Sequence, residues 1–221
     1  MWLTEHQLNT LFLNTFGVAK PSIPLHDAAQ ITNANALHIP WQPDVDYIIG
    51  NPPFVGSKMM TEEQRNDVKT LFGNKAGSGI LDYVTAWYKK AAELIANQNQ
   101  LLKCAFVSTN SITQGEQVGV LWQTLMYDYG LSIYFAHQTF KWSNEAKGLA
   151  AVHCVIVGFG KETTETKLLF EYPDIKGEPT ISTVKNINPY LVEGHNVFIA
   201  TRHKPICNVP AMSFGNMPLD G

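Results

Sequence analysis

The chain has 221 residues, 45% of them hydrophobic, and a formal net charge of -3. That length suffices for one good core and the start of a second domain. No apolar run approaches the roughly 20 residues of a membrane span, and Met1-Trp2-Leu3-Thr4-Glu5-His6 lacks the basic-then-apolar pattern of a signal peptide. Cys104, Cys154 and Cys207 are far apart and odd in number, as expected of reduced core thiols in a cytoplasmic protein. No Cys/His cluster has metal-ligand spacing, so no metal is expected. The mild acidity argues against strong phosphate-backbone binding by this piece alone. Lys141 with Lys147, and the run Arg202, His203 and Lys204, provide local basic character.

Leu8, Leu11, Phe12 and Phe16 recur at helical spacing over residues 5–16, and Gly17 is a stop. Residues 20–25 are broken by proline and extended. Residues 46–50 predict a buried strand. Residues 61–72 predict a helix capped by Thr61, with Glu62 and Glu63 in its first turn. A loop with three glycines follows at 73–79. Then come a helix at 81–96, a strand at 104–108, a helix at 117–129 stopped by Gly130, and strands at 131–136, 150–159 and 167–172. Strand–helix alternation predicts a mostly parallel sheet with helices on its faces. The last pair of strands, with no helix between them, predicts an antiparallel edge. From Pro173 onward Pro, Gly and Asn become frequent, and Asn188-Pro189-Tyr190 reads as a turn.

The most informative segment is Asn51-Pro52-Pro53-Phe54, directly after the apolar run Tyr47-Ile48-Ile49-Gly50. Proline fixes φ and has no N–H, and a residue before proline is confined to extended geometry. Asn51 and Pro52 are therefore both held extended. The strand end presents an amide oxygen, a stiff carbonyl and an aromatic ring. An aromatic exocyclic amine is a poor nucleophile, because its lone pair is delocalised into the ring. Two acceptors on its N–H groups draw it toward a reactive tetrahedral geometry. The Asn51 oxygen and the Pro52 carbonyl can supply both, while Phe54 can stack on a flat base, as base-modifying enzymes do.

Asn51-Pro52-Pro53-Phe54 resembles the catalytic loop of amino-methyltransferases that use S-adenosylmethionine. The order of Asn35-Ala36-Leu37, this loop, Asp82-Tyr83, Phe106-Val107-Ser108-Thr109-Asn110-Ser111-Ile112 and Thr139-Phe140-Lys141-Trp142 resembles the gamma-order DNA adenine-N6 enzymes. Residues 49–58 and 135–159 are similar to the MmeI-like class, in which a nuclease, a methyltransferase and a target-recognition domain are fused. The resemblance implies a Rossmann-like methyltransferase sheet, incomplete on its N-terminal side, with an antiparallel edge and the start of a recognition domain. It implies a catalytic domain over 1–172 and a linker with the beginning of target recognition over 173–221. It implies S-adenosylmethionine as cofactor, and double-stranded DNA and the rest of a larger polypeptide as partners.

Carried over by residue, Asn51, Pro52, Pro53 and Phe54 are catalytic. Phe54 and Phe140 grip the two faces of the target base. Asn35, Asn51 and Asp82 serve the cofactor, Asn35 standing where the family often has an acidic residue. Asn35 also reads as a plain turn residue, Phe140 as core with Trp142 competing for its role, and Asp82 as a helix N-terminal acid. Ser108, Thr109 and Ser111 read as strand-end hydrogen-bonders. The family's glycine-rich cofactor loop has no counterpart before Asn35, so the chain reads as an internal fragment. Two other readings stand beside DNA adenine methylation: an amino-methyltransferase acting on RNA guanine or protein glutamine, and a non-catalytic binding module.

Overall fold

A computed structural model describes residues 2–17, 31–98, 101–142, 152–161, 166–199 and 207–209. The expected extended segment at 20–25, Lys147 and the basic run at 202–204 lie outside them. The chain divides into two compact units, Met1–Ile39 and Pro40–Gly221. The first holds helix α1, Trp2–Phe16, in which the rings of Phe12 and Phe16 touch at 5.4 Å. The N–H of Gly17 closes the helix on the carbonyl of Leu13.

The second unit is a six-stranded mixed sheet. Its strands are β1 (Tyr47–Gly50), β2 (Lys103–Thr109), β3 (Leu131–Trp142), β4 (Val152–Lys161), β5 (Lys167–Glu171) and β6 (Thr180–Val184). They lie in the order β1-β2-β4-β3-β5-β6. The pairs β1–β2 and β3–β5 are parallel, whereas β2–β4, β3–β4 and β5–β6 are antiparallel. The expectation of a mostly parallel sheet is thus corrected by pairing. The crossover from β2 to β3 skips one strand position, and β4 returns antiparallel to fill it. The antiparallel edge exists, but β6 rather than β4 partners β5 there. That edge crosses the boundary expected at residue 172.

Among the described residues three α-helices accompany the sheet: α2 (Glu62–Phe72), α3 (Thr85–Ala96) and α4 (Gly115–Gln123). A capping box starts α2. The Gln64 N–H donates to Thr61 Oγ1 at 3.3 Å, and the Thr61 N–H donates to Gln64 Oε1 at 3.0 Å. The turn after α4, Thr124–Asp128, widens to π geometry. Lys75 Nζ donates to Thr124 Oγ1 at 2.6 Å and pairs with Asp128 Oδ2 at 2.8 Å across it.

The core is aromatic. Fully buried Tyr88 of α3 stacks on Phe159 at 5.1 Å and meets Phe106 and Trp122 edge-on at 5.2 and 5.8 Å. Its hydroxyl is satisfied by Ser108 Oγ at 2.8 Å, as burial demands. Burial also pushes the Tyr88 phenol and the Cys104 thiol well above their ordinary pKa values. Cys104 and Cys154 are buried as expected, whereas Cys207 is exposed. It lies beyond the last strand, outside any packed layer. Among the described residues no helix is long and apolar enough to cross a membrane.

Candidate functional site

The site is assembled where strands end. Strand β1 was expected to be buried. Instead, among the described residues it pairs with β2 alone, and Tyr47 and Ile49, which share one face of the strand, are 67% and 82% exposed because no element there covers that face. The side of β1 that carries Gly50 does pack. A Cβ on Gly50 would stand 3.2 Å from the Phe106 ring, so the absent side chain lets that ring approach the strand end.

Beyond Gly50 the loop changes character residue by residue. Asn51 is exposed and, among the described residues, its amide makes no hydrogen bond. Pro52 is buried, Pro53 exposed and Phe54 half-buried. After Phe54 the backbone is pinned. The Tyr83 N–H donates to the Val55 carbonyl at 2.9 Å. The Ser57 N–H donates to Asp82 Oδ1 at 3.0 Å. Arg65 Nη1 donates to the Ser57 carbonyl at 3.0 Å.

Asp82 is itself held. The residue is 8% exposed, and Oδ2 accepts from Ser111 Oγ, with Thr109 Oγ1 3.4 Å away. Its N–H donates to Gln117 Oε1 at 3.0 Å. Residues 81–84 do not belong to the helix, contrary to expectation. They form a turn in which the Thr85, Ala86 and Trp87 N–H groups bond three residues back. The Asp82 and Tyr83 N–H groups, ahead of the first helical hydrogen bond, are left to Gln117 and Val55.

Phe140 lies farther along the same edge. Strands β1, β2 and β3 run in one direction, so their carboxyl ends share one side of the sheet. Thr109 is opposite Cys154, and Cys154 is opposite Phe140, so the three lie in one row. Across the sheet the end of β1 and Phe140 are three strand spacings apart, about 14 Å, and Gly50, opposite Phe106, stops three residues short of the row of Thr109. The strand expected at 131–136 runs on to Trp142 and so carries Phe140. One face of Phe140 is covered by Tyr172, with ring centroids 5.3 Å apart. His137 stacks on Phe170 at 4.0 Å, and its Nδ1 lies 2.7 Å from the Tyr172 hydroxyl. Burial lowers the His137 pKa below its ordinary value.

Asn35 belongs to the first unit. Its Oδ1 accepts from the Leu37 N–H at 3.0 Å, and its carbonyl accepts from the His38 N–H at 2.9 Å. This is an Asx turn. The carboxamide nitrogen rests 3.4 Å from His38 Nε2. A cavity of about 330 Å³ lies beside the Asn51 loop rather than on it. Met60, Arg65, Val68, Lys69, Lys75 and Ser78 contribute to its walls, and none of the expected site residues lines it. Ser57, Arg65 and Gln117, which hold the loop, were not singled out in the sequence. Their partners stand 25, 8 and 35 positions away, with no motif to join them.

An exposed, unpaired amide on a pinned loop at the carboxyl edge of a twisted α/β sheet is where such folds bind ligands. Residues 1–171 match the family model described as MmeI, DNA-methyltransferase domain. The chain belongs to that family. It is 42% identical over 230 residues to DNA methyltransferase A of Bacillus subtilis (strain 168), covering 100% of this chain and 25% of that protein. It is 49% identical to the type IIL restriction-modification enzyme MmeI, solved in complex with DNA. That match has a TM-score of 0.85 over 99% of this chain and 30% of the solved one. The chain therefore spans between a quarter and a third of the length of these relatives.

Proposed function

We propose that this chain carries the catalytic loop of a DNA adenine-N6 methyltransferase in a restriction-modification system. The observation that carries the reading is the state of Asn51. Its amide is exposed and unpaired at the end of β1, while the loop after Phe54 is fixed by three hydrogen bonds. A polar group kept free on a fixed backbone is prepared to bind something from outside the protein. Membership of the MmeI methyltransferase-domain family and likeness to an enzyme solved with DNA support DNA as the substrate.

In this reading Asn51 Oδ1 and the Pro52 carbonyl accept from the two N–H groups of an extruded adenine. Pro53 stiffens that carbonyl, and Phe54 stacks on the base, with Phe140 on its other side. The base must leave the duplex first. S-adenosylmethionine supplies an electrophilic methyl group, and the residues named supply orientation and polarisation of the acceptor amine. Asn51 and Asn35, each taken within its own unit, carry acceptors of the kind that cofactor's polar groups would use. The amide of Asn51 is uncommitted. Asn35 Oδ1 spends only one of its two lone pairs on Leu37 and keeps the other. The saturated surroundings of Asp82 argue for an indirect part. The proposed division into a catalytic domain over 1–172 and a recognition entry over 173–221 is kept, with β6 of the second part pairing with β5 of the first.

The test is chemical. The protein is expressed at its full encoded length in a host without adenine methylation, and the host DNA is digested and analysed by mass spectrometry. N6-methyladenine is the expected product. Folded protein that binds S-adenosylmethionine but leaves the DNA unmodified would overturn DNA as acceptor.

A further inference from the structure

We infer that Asp82 is a positioning residue for methyl transfer: its buried carboxylate ties the end of the Asn51 loop to the end of β2 and thereby sets the aim of Asn51 and Pro52. The inference rests on the catalytic reading of that loop.

The geometry is that of a bridge between two strand ends. Oδ1 takes the Ser57 N–H, three residues beyond Phe54. Oδ2 faces the hydroxyls of Thr109 and Ser111, which leave the last residue of β2 and the turn after it. With one proton each, the two hydroxyls form a relay: Ser111 Oγ donates to Oδ2 and Thr109 Oγ1, 2.8 Å away, donates to Ser111, so Thr109 supports Oδ2 through Ser111. One residue on, the Tyr83 N–H holds the Val55 carbonyl, so residues 82 and 83 grip the loop at two alternate positions. Gly56 sits between them, and a Cβ there would rest against Asp82 Oδ1 at 3.8 Å. Tyr83 is anchored in turn by its hydroxyl, which donates to Asp67 Oδ2 at 2.7 Å.

The donor set explains why the bridge is an aspartate. Both direct partners offer protons, so the centre must accept only. Among the described residues no cation pairs with the carboxylate. Its charge is met by the Ser57 N–H and by the Ser111 hydroxyl, which Thr109 backs in turn, and charge-assisted bonds of this kind are stronger than neutral ones. A surface helix cap would not need 8% exposure or partners 25 to 29 positions away. A direct cofactor ligand would keep its oxygens turned outward, whereas these are turned into the protein.

This assignment differs measurably from a cofactor-ligand role. Asp82→Ala removes the bridge. The loop then loses its fix, and the acceptor amine loses alignment. A misplacement near 1 Å costs on the order of 100-fold in rate. The expected result is a fall in kcat of that order, with S-adenosylmethionine affinity within about threefold. Asp82→Asn keeps one acceptor for the Ser57 N–H, and its NH2 can donate to hydroxyls that rotate to accept it. Activity within about tenfold of the original is therefore expected, because alignment survives. A weakened cofactor affinity with kcat restored at saturation would show a cofactor ligand and overturn the inference. Unchanged kinetics in Asp82→Ala would also overturn it.

Hydrogen exchange over residues 54–58 gives a reading independent of activity. Asp82→Ala must lose protection at the Ser57 amide relative to the unaltered chain, and retained protection overturns the bridge. Should Asp82→Ala fail to fold, the double variant Thr109→Val, Ser111→Ala removes the hydroxyl relay to Oδ2 and is expected to lower kcat in the same direction. Normal kcat there would count against the bridge. An unaltered protein that methylates no DNA at all fails on function, and the exchange experiment still decides the bridge.

Discussion

Replacing Asn51 with alanine separates chemistry from folding more cleanly than any other change in the site. The side chain is exposed and makes no hydrogen bond among the described residues, so its removal breaks nothing in the fold. Surface changes away from structural features stay within about 0.5 kcal/mol. For a chain of this size that is a shift of at most about 2 °C in Tm. The chemical cost is far larger. One preorganised polar contact to a reacting group is worth roughly 2.7–4 kcal/mol, or about 10²–10³ in kcat. The affinity for S-adenosylmethionine is expected to stay within a few fold, because the role proposed for Asn51 is in the transfer step. Transfer of a labelled methyl group to DNA under single-turnover conditions measures the first quantity, calorimetry with S-adenosylmethionine the second, and thermal unfolding the third. Near-normal transfer by a folded Asn51→Ala protein would refute the role given to Asn51. A large loss of Tm would refute the claim that its amide is free.

The hydroxyl pair inside the core gives a second expectation. Ser108→Ala leaves the fully buried Tyr88 hydroxyl without a partner and should cost about 1–3 kcal/mol. Tyr88→Phe strands the Ser108 hydroxyl in the same way. The double variant should lose clearly less than the sum in urea unfolding, and strict additivity would show the two groups to be uncoupled. His137 gives a pH expectation. Burial lowers its folded pKa below the ordinary 6.5, so the unfolded chain binds the proton more readily. Stability is therefore full above the unfolded pKa, falls as pH drops through that value, and levels off below the folded one. His137→Gln should flatten that fall in unfolding free energy, and an unchanged slope would place the titration elsewhere.

The parts of this protein that were legible in the sequence are the local ones. The Thr61 cap, the apolar run into Asn51 and the turn at Asn188 depend on neighbours within a few positions, and each is where it was expected. Asn188 Oδ1 accepts from the Tyr190 and Val192 N–H groups, which is why the second Asn-Pro is a turn and not a site. The start of α3 was misread because Leu81, Tyr83 and Val84 have apolar character that suits a helix. Long-range bonds from Val55 and Gln117 claim the backbone there instead. Strand β3 was read too short because it contains two register shifts, between Ile133 and Phe135 and between His137 and Phe140. Such bulges break the alternation by which strands are recognised.

The two halves of the loop now explain each other. A loop free at both ends could not hold an amine in a reactive geometry, because its own motion would exceed the tolerance of the reaction. A loop saturated with bonds throughout could not bind a substrate either. Here the divide falls at Phe54. Upstream, two prolines limit the backbone without using any donor, so the Asn51 amide and Pro52 carbonyl stay available. Downstream, where proline is absent, Val55 and Ser57 are fixed by Tyr83, Asp82 and Arg65. Stiffness is supplied by covalent geometry where the groups must stay free, and by hydrogen bonds where they need not. That division makes Asn51 and Asp82 complementary. In the proposed reading the first acts by being unpaired and the second by being paired, so exchanging their environments is expected to disable both.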